Sequence, residues 1–246
     1  MGKIYEALEK AQRERKGQKK PPLFVVLSPG ERPSTGFELA AEKEMVTLSR
    51  NIDALLETSP KKVIQFIGSQ GGEGTSTVVR DFAMVSAARL GKSVLLLDAD
   101  PRSPSQHLFF HLQPAFRWEE ILRNKRTFRK AISRIGDTSL YVYPTPSGSA
   151  SLPKALFSPE IKDFWDEAKE KFDLVLIDSA PASESPDGIG LSRFMDGVVL
   201  VLEAEKTRKP VAENLKNRIV QNGGNLLGMV FNNRRYHIPE SVYKRL

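Results

Sequence analysis

The chain reads as an α/β protein: a doubly wound, mostly parallel sheet of about seven strands with helices on both faces. Three observations predict this. Short apolar runs alternate with helical stretches, a glycine-rich turn joins the first core strand to the next helix, and two later apolar runs end in aspartates.

The elements follow in order. Ile4, Tyr5, Leu8 and Ala11 recur at helical spacing, so residues 1–20 are expected to form a basic amphipathic helix, ended by Gly17 and Pro21-Pro22. It can pack on its own domain or dock on a partner. Residues 21–246 then form a single domain. Leu23 to Leu27 reads as a short edge strand, and Ser28 to Gly36 as a loop from its Pro and Gly content. Phe37 to Leu56 is a predicted long helix, Val63 to Ile67 a strand, and Thr77 to Leu90 a helix stopped by Gly91. Val94 to Leu97, Leu140 to Tyr143, Leu174 to Ile177, Val198 to Leu202 and Leu226 to Phe231 are apolar runs suited to burial on both faces. Helical stretches near Ser158 to Lys171 and Thr207 to Gln221 separate the later ones. Pro101 to Gly136 reads as short helices over the crevice, with Phe109, Phe110, Phe116 and Trp118 as satellite core.

The turn is Ser69-Gln70-Gly71-Gly72-Glu73-Gly74-Thr75-Ser76-Thr77. Gly71, Gly72 and Gly74 permit the close backbone path by which successive N–H groups face an anion. A strand, a glycine turn and then a helix is the context of a phosphate-binding loop. Such loops place a lysine on the phosphates and a hydroxyl on Mg²⁺, yet the lysine position holds Thr75. An ordinary strand-to-helix turn is the alternative, and two acidic strand ends weigh against it. Leu95-Leu96-Leu97-Asp98-Ala99-Asp100-Pro101-Arg102 ends a strand in two acids and a base. Asp98 and Asp100 can approach Mg²⁺ or orient an attacking hydroxyl, and Arg102 can replace some missing positive charge. Leu174-Val175-Leu176-Ile177-Asp178 delivers a third acid. In a doubly wound sheet these ends face one crevice.

On these residues the chain resembles the ParA/MinD-type deviant P-loop ATPases. Within them it is similar to the cytoplasmic tyrosine autokinases of bacterial exopolysaccharide and capsule synthesis, from about Lys61 to Asn232. Pro-Gly-Glu-Gly-Lys-Ser-Thr in that family corresponds to Gly71 through Thr77 here, and Leu-Leu-Leu-Asp-Ala-Asp-Pro-Arg to its aspartate-rich second Walker motif. The resemblance implies ATP or ADP with Mg²⁺ as cofactor, bound by Gly71, Gly72, Glu73, Gly74, Thr75, Ser76 and Thr77. It implies Asn232 at the adenine, and Ser76, Asp98 and Asp178 around the metal.

The chain departs from that family at three places. Thr75 cannot neutralise charge developing on the transferred phosphate, and Gln70 stands where partitioning relatives place a second lysine. On the helix before the loop, Lys43, Val46 and Ser49 fall where the kinases carry a glutamate and two arginines that build a ring, so a homo-oligomer is left open but not through that ring interface. The tail offers only Tyr236 and Tyr243 where the kinases have a tyrosine cluster.

Composition sets outer limits. The 246 residues carry no cysteine, which excludes disulfides and thiolate chemistry, and His107, His111 and His237 are too scattered for a metal site. The formal charge of +7 resides at the ends: seven Lys/Arg against three acids in residues 1–20, four against one in residues 234–246. That distribution fits an anionic membrane surface or an acidic protein better than nucleic acid. No apolar run is long enough for a membrane span, and no secretory signal opens the chain, so a cytoplasmic location is expected, with peripheral contact to the membrane through a partner.

These features lead to the expectation of a nucleotide-binding regulatory or scaffold protein, a pseudokinase of exopolysaccharide biosynthesis. Its expected partner is the cytosolic part of an export membrane protein or an active kinase paralogue. The alternatives are a working tyrosine autokinase or ATPase in which Arg102, Lys206 or Arg208 replaces the lysine, and a ParA/MinD-type positioning factor.

Overall fold

The computed structural model describes residues 23–26, 41–123, 125–148 and 160–234. The expected helix within residues 1–20, Tyr236, His237 and Tyr243 lie outside the described residues.

Apolar runs without a polar face must be covered on both sides, and here they form one sheet. Its strands are β1 (Leu23–Val26), β2 (Lys62–Gly68), β3 (Val94–Ala99), β4 (Ser133–Arg134), β5 (Leu140–Tyr143), β6 (Leu174–Ser179), β7 (Gly197–Glu203) and β8 (Leu226–Asn232). The spatial order is β1-β8-β7-β2-β6-β3-β5-β4, and every pair is parallel except β4 with β5. The helices are α1 (Glu42–Leu55), α2 (Thr75–Ala88), α3 (Gln106–Phe109), α4 (Trp118–Arg123), α5 (Lys125–Ala131), α6 (Glu160–Lys171), α7 (Asp187–Leu191) and α8 (Lys209–Gln221).

Side-chain alternation along each strand feeds two cores. In β2, Ile64 and Phe66 join Met45, Leu48 and Ile52 of α1 and Val78, Val79 and Phe82 of α2. Val63 and Ile67 point the other way, toward Phe164 and Ala168 of α6, Ile189 of α7, and Leu215 and Ile219 of α8. The Phe66 and Phe82 rings lie 5.7 Å apart, and removing each from water is worth roughly 1.5–3 kcal/mol. Trp118 belongs to the core as expected. Its ring stands edge-on to Tyr143 at 5.1 Å and to Phe164 at 5.6 Å, and Nε1 donates to the Thr145 hydroxyl.

The strand order places the loop. From β2 the chain crosses through α2 to β3, on the far side of β6, whereas β7 returns to the opposite flank of β2. This reversal at β2 opens a crevice beyond the carboxyl ends of the strands, where ligands of such sheets bind.

Two helix starts differ from the sequence expectation. Helix α2 begins at Thr75 instead of Thr77, because Gly74 at φ +84° makes the turn itself and lets the helix start directly after it. Helix α8 begins at Lys209, with Pro210 in its first turn, where the fixed proline φ suits a helix start. The described part of α1 starts at Glu42. Strand β4 and helix α7 are short elements that the sequence did not announce.

Candidate functional site

The loop between β2 and α2 is shaped by its own acid. Glu73 is buried and folds back: Oε2 accepts from the Ser69 and Gln70 N–H groups, and Oε1 from the hydroxyls of Ser69 and Thr207. Asn232, at the end of β8, donates its side-chain amide to the Glu73 carbonyl at 3.0 Å. Gly74 needs glycine twice over, for its positive φ and because a Cβ would lie 2.1 Å from Asn232 Nδ2. The Gly74 N-cap supplies no side-chain cap to α2, so the first-turn amides of this fourteen-residue helix are left for another acceptor.

Removing the Glu73 carboxylate strands two backbone N–H groups, one of them buried, in the turn. Glu73→Ala is expected to cost about 2 kcal/mol. That corresponds to a drop in Tm of roughly 4–8 °C for a domain of this size. Glu73→Gln, which keeps one acceptor oxygen, should lose less. Thermal unfolding of the three proteins checks the order, and an alanine variant as stable as wild type would show that the turn holds without its acid.

The strand ends bring the other acids alongside. Asp98 and Asp178 are register partners on β3 and β6. Asp178 accepts from the Ser76 hydroxyl at 3.1 Å and from Gln106 Nε2 at 2.7 Å. Asp98 accepts from three backbone N–H groups, those of Asp100, Ser105 and Gln106, at 3.0–3.1 Å. Asp100 accepts from the N–H groups of Arg102 and Ser103. The segment after β3 is thus wrapped around two carboxylates. Burial pushes Asp178 up to about 6, against the bonds from Gln106 and Ser76, with the Asp100 charge raising it further and the Arg80 charge opposing. Burial, with the Asp178 charge beside it, holds Asp98 well above the usual carboxylate range despite its backbone donors.

The remaining expected residues are distributed around this centre. Thr75 is 9% exposed, and its Oγ1 lies against Gly68, where a Cβ would come within 2.6 Å. Thr77 accepts a long hydrogen bond from Arg80 at 3.4 Å. Gly72 takes φ +84°, and a Cβ on Gly71 would meet Glu184 Oε1 at 2.6 Å. The Arg102 side chain is exposed, and its charge acts on Asp187. Lys206 pairs with Glu203 at 2.7 Å, and Arg208 is exposed at the N-cap of α8. On α1, Lys43 is exposed, Val46 packs on the α1–α2 core, and Ser49 is buried and accepts from Lys92.

Four residues of the site escape a reading by motif: Gln106, Arg80, Glu184 and Thr207. Arg80 is the first base on α2 and stacks 3.9 Å from the Phe109 ring centroid. Gln106 had no signal at all, since its contacts arise from the path of the chain after Asp100.

Oxygen donors that fit a hydrated Mg²⁺ are present: the Ser76 hydroxyl, the Asp178 carboxylate and the adjoining Asp98. Among the described residues, no three His, Cys, Asp or Glu side chains cluster to hold a metal by themselves. A hard cation here would take its remaining ligands from phosphate and water.

The fold and the loop define the class: a P-loop NTPase fold of the MinD type. No family model matches the chain. Tyrosine-protein kinase YwqD of Bacillus subtilis is 31% identical over 192 residues, covering 77% of this chain and 79% of that protein. Putative tyrosine-protein kinase CapB of Staphylococcus aureus is 28% identical over 226 residues, covering 90% and 93%. Succinoglycan biosynthesis transport protein ExoP of Rhizobium meliloti is 26% identical over 183 residues, which are 73% of this chain and 23% of that protein. Among solved structures, the chimerical protein CapA2B2 superposes with a TM-score of 0.76 at 22% identity, covering 93% of this chain and all of that one. The septum site-determining protein MinD of Pyrococcus horikoshii, complexed with Mg-ADP, gives 0.59 at 20% identity, covering 75% and 76%. The chain belongs to the bacterial tyrosine-protein kinases of capsule and exopolysaccharide biosynthesis.

Proposed function

We propose that this chain is a nucleotide-binding regulatory or scaffold member of that kinase family, with phosphoryl transfer slow or lost. The observation that carries the reading is Thr75, buried against Gly68 where a working loop places its lysine. Removing a charge that meets the transferred phosphate removes much of what accelerates the reaction. Of the expected substitutes, Lys206 is paired with Glu203, while Arg102 and Arg208 are exposed.

Binding survives this loss better than catalysis does. Gly71 through Thr77 would hold the phosphates of ADP or ATP by backbone N–H groups. Ser76 and Asp178, with Asp98 beside them, would hold Mg²⁺, which supplies the positive charge the loop lacks. The Asn232 amide is engaged by the loop at Glu73, so any contact of Asn232 with adenine would accompany a change there. Partners are read from the family: the cytosolic part of an exopolysaccharide-export membrane protein, or an active kinase. No described helix is long and apolar enough to cross a membrane, and the proposed site of action is the cytoplasmic side, at the membrane through that partner.

The working-kinase alternative has its own support in Arg80, whose charge reaches Asp178. Calorimetric titration with ADP separates the readings. We expect binding that Mg²⁺ tightens at least tenfold, since the acidic groups beside the loop oppose a nucleotide's phosphates and no lysine stands at position 75 to offset them. No binding at millimolar ADP would leave a scaffold without nucleotide. Rapid phosphate release that Asp98→Ala abolishes would establish an active enzyme.

A further inference from the structure

Gln106 lies outside every phosphate-loop motif, yet its side chain joins the two sides of the site. It is fully buried. Nε2 donates to Asp178 Oδ2 at 2.7 Å and to the Ser76 carbonyl at 3.1 Å. These two bonds pin the carboxamide between α2 and β6. The other end of the same amide, Oε1, is buried and has no hydrogen-bond partner. A buried oxygen acceptor without a donor is unfavourable, and at this position, beside Asp178 and Ser76, a donor arriving with a ligand would satisfy it.

Water on a hard divalent cation is such a donor, because Mg²⁺ keeps several of its waters when it binds protein. We propose that Gln106 is a positioning residue for the cation of a bound Mg·nucleotide. Its nitrogen fixes the Asp178 carboxylate, and its oxygen accepts from water that the cation retains. The inference rests on the nucleotide-binding reading above. It differs from a purely structural role, in which Gln106 only pins α3 to α2, in one measurable respect: it concerns cation dependence and leaves metal-free binding nearly untouched.

The test titrates a fluorescent ADP analogue into the full chain, with Mg²⁺ and with EDTA, for wild type, Gln106→Met and Gln106→Glu. The readout is the ratio of the two affinities. Methionine preserves the volume and removes both the oxygen and the nitrogen that holds Asp178; it is expected to reduce the Mg²⁺ enhancement by about tenfold, the lower end of the effect of losing an outer partner of a metal site. Affinity in EDTA should stay within about twofold of wild type, since that partner acts on the cation. Glutamate keeps an acceptor oxygen but not the nitrogen that holds Asp178, so it should retain more of the enhancement than methionine does, even though its charge weakens binding in EDTA. It also carries the test if the methionine variant fails to fold. Wild-type binding that Mg²⁺ tightens, with the same ratio in Gln106→Met or with equal losses in both conditions, overturns this proposal alone. Loss of the enhancement in Gln106→Glu overturns it as well. Absence of nucleotide binding by the wild-type chain overturns this proposal and the reading beneath it together.

Discussion

Replacing Thr75 by lysine is expected to raise phosphate release by about two to three orders of magnitude, the range associated with one preorganised charge-stabilising group. Thr75 opens α2, directly after the Gly74 turn, and its side chain faces the end of β2. A lysine there has a flexible four-carbon stem, which can leave the Gly68 side and cross the mouth of the loop. Its ammonium would then lie among groups that carry negative charge. ADP affinity should tighten in the same variant, which separates a gain in charge from a change in folding. Phosphate release at saturating ATP, beside wild type and Asp98→Ala, is the measurement. A Thr75→Lys protein that binds ADP more tightly and turns over no faster would show that more than the lysine has been lost.

The second large effect concerns Asp178, where stability and binding are expected to move in opposite directions. Burial raises its pKa from 3.8 to about 6, so between those values the folded chain holds a proton that the unfolded chain releases. Stability from this group is full below pH 4 and falls as pH rises through 6. Above that, the charged form costs on the order of 3 kcal/mol. Asp178→Asn removes this cost and keeps the contacts: its carboxamide oxygen accepts from Gln106, and its nitrogen donates to the Ser76 hydroxyl. The variant should therefore melt higher than wild type at pH 7.5, by up to about 10 °C, and the gap should close by pH 4. The same change should abolish the Mg²⁺ enhancement of ADP binding. Taking the difference between the two proteins matters, because Asp53, held low by Lys92 and Lys62 against its burial, and Asp173, held low by the Ser93 N–H, titrate with the opposite sign. A variant less stable than wild type at pH 7.5 would refute the assignment.

The sheet was legible because its strands are written as unbroken apolar runs. Val94 to Leu97 and Leu174 to Ile177 need no tertiary information to be recognised as doubly covered. The acids after them are fixed by strand position alone, which is why Asp98 and Asp178 become register partners. What the sequence concealed is side-chain destiny inside the loops. Nothing in Ser105-Gln106-His107 says that Asp98 will cap two of its amides and turn Gln106 toward Asp178. Nor does the sequence say that the Glu73 side chain folds inward onto Ser69 and Gln70. Short elements such as α7 and the two residues of β4 carry too little periodicity to announce themselves.

The partners of Glu73 also have a bearing on how the protein is made. The loop belongs to the first third of the chain, yet its lid comes from Thr207, 134 residues later, and its brace from Asn232, 159 residues after Glu73. Contacts at such separation carry a heavy loop-closure cost and form late. During synthesis the central strands can associate while residues 69–74 still lack both supports. These supports of Glu73 are complete only when β8 has been laid beside β7, so a nucleotide that needs them would bind only after that strand has arrived.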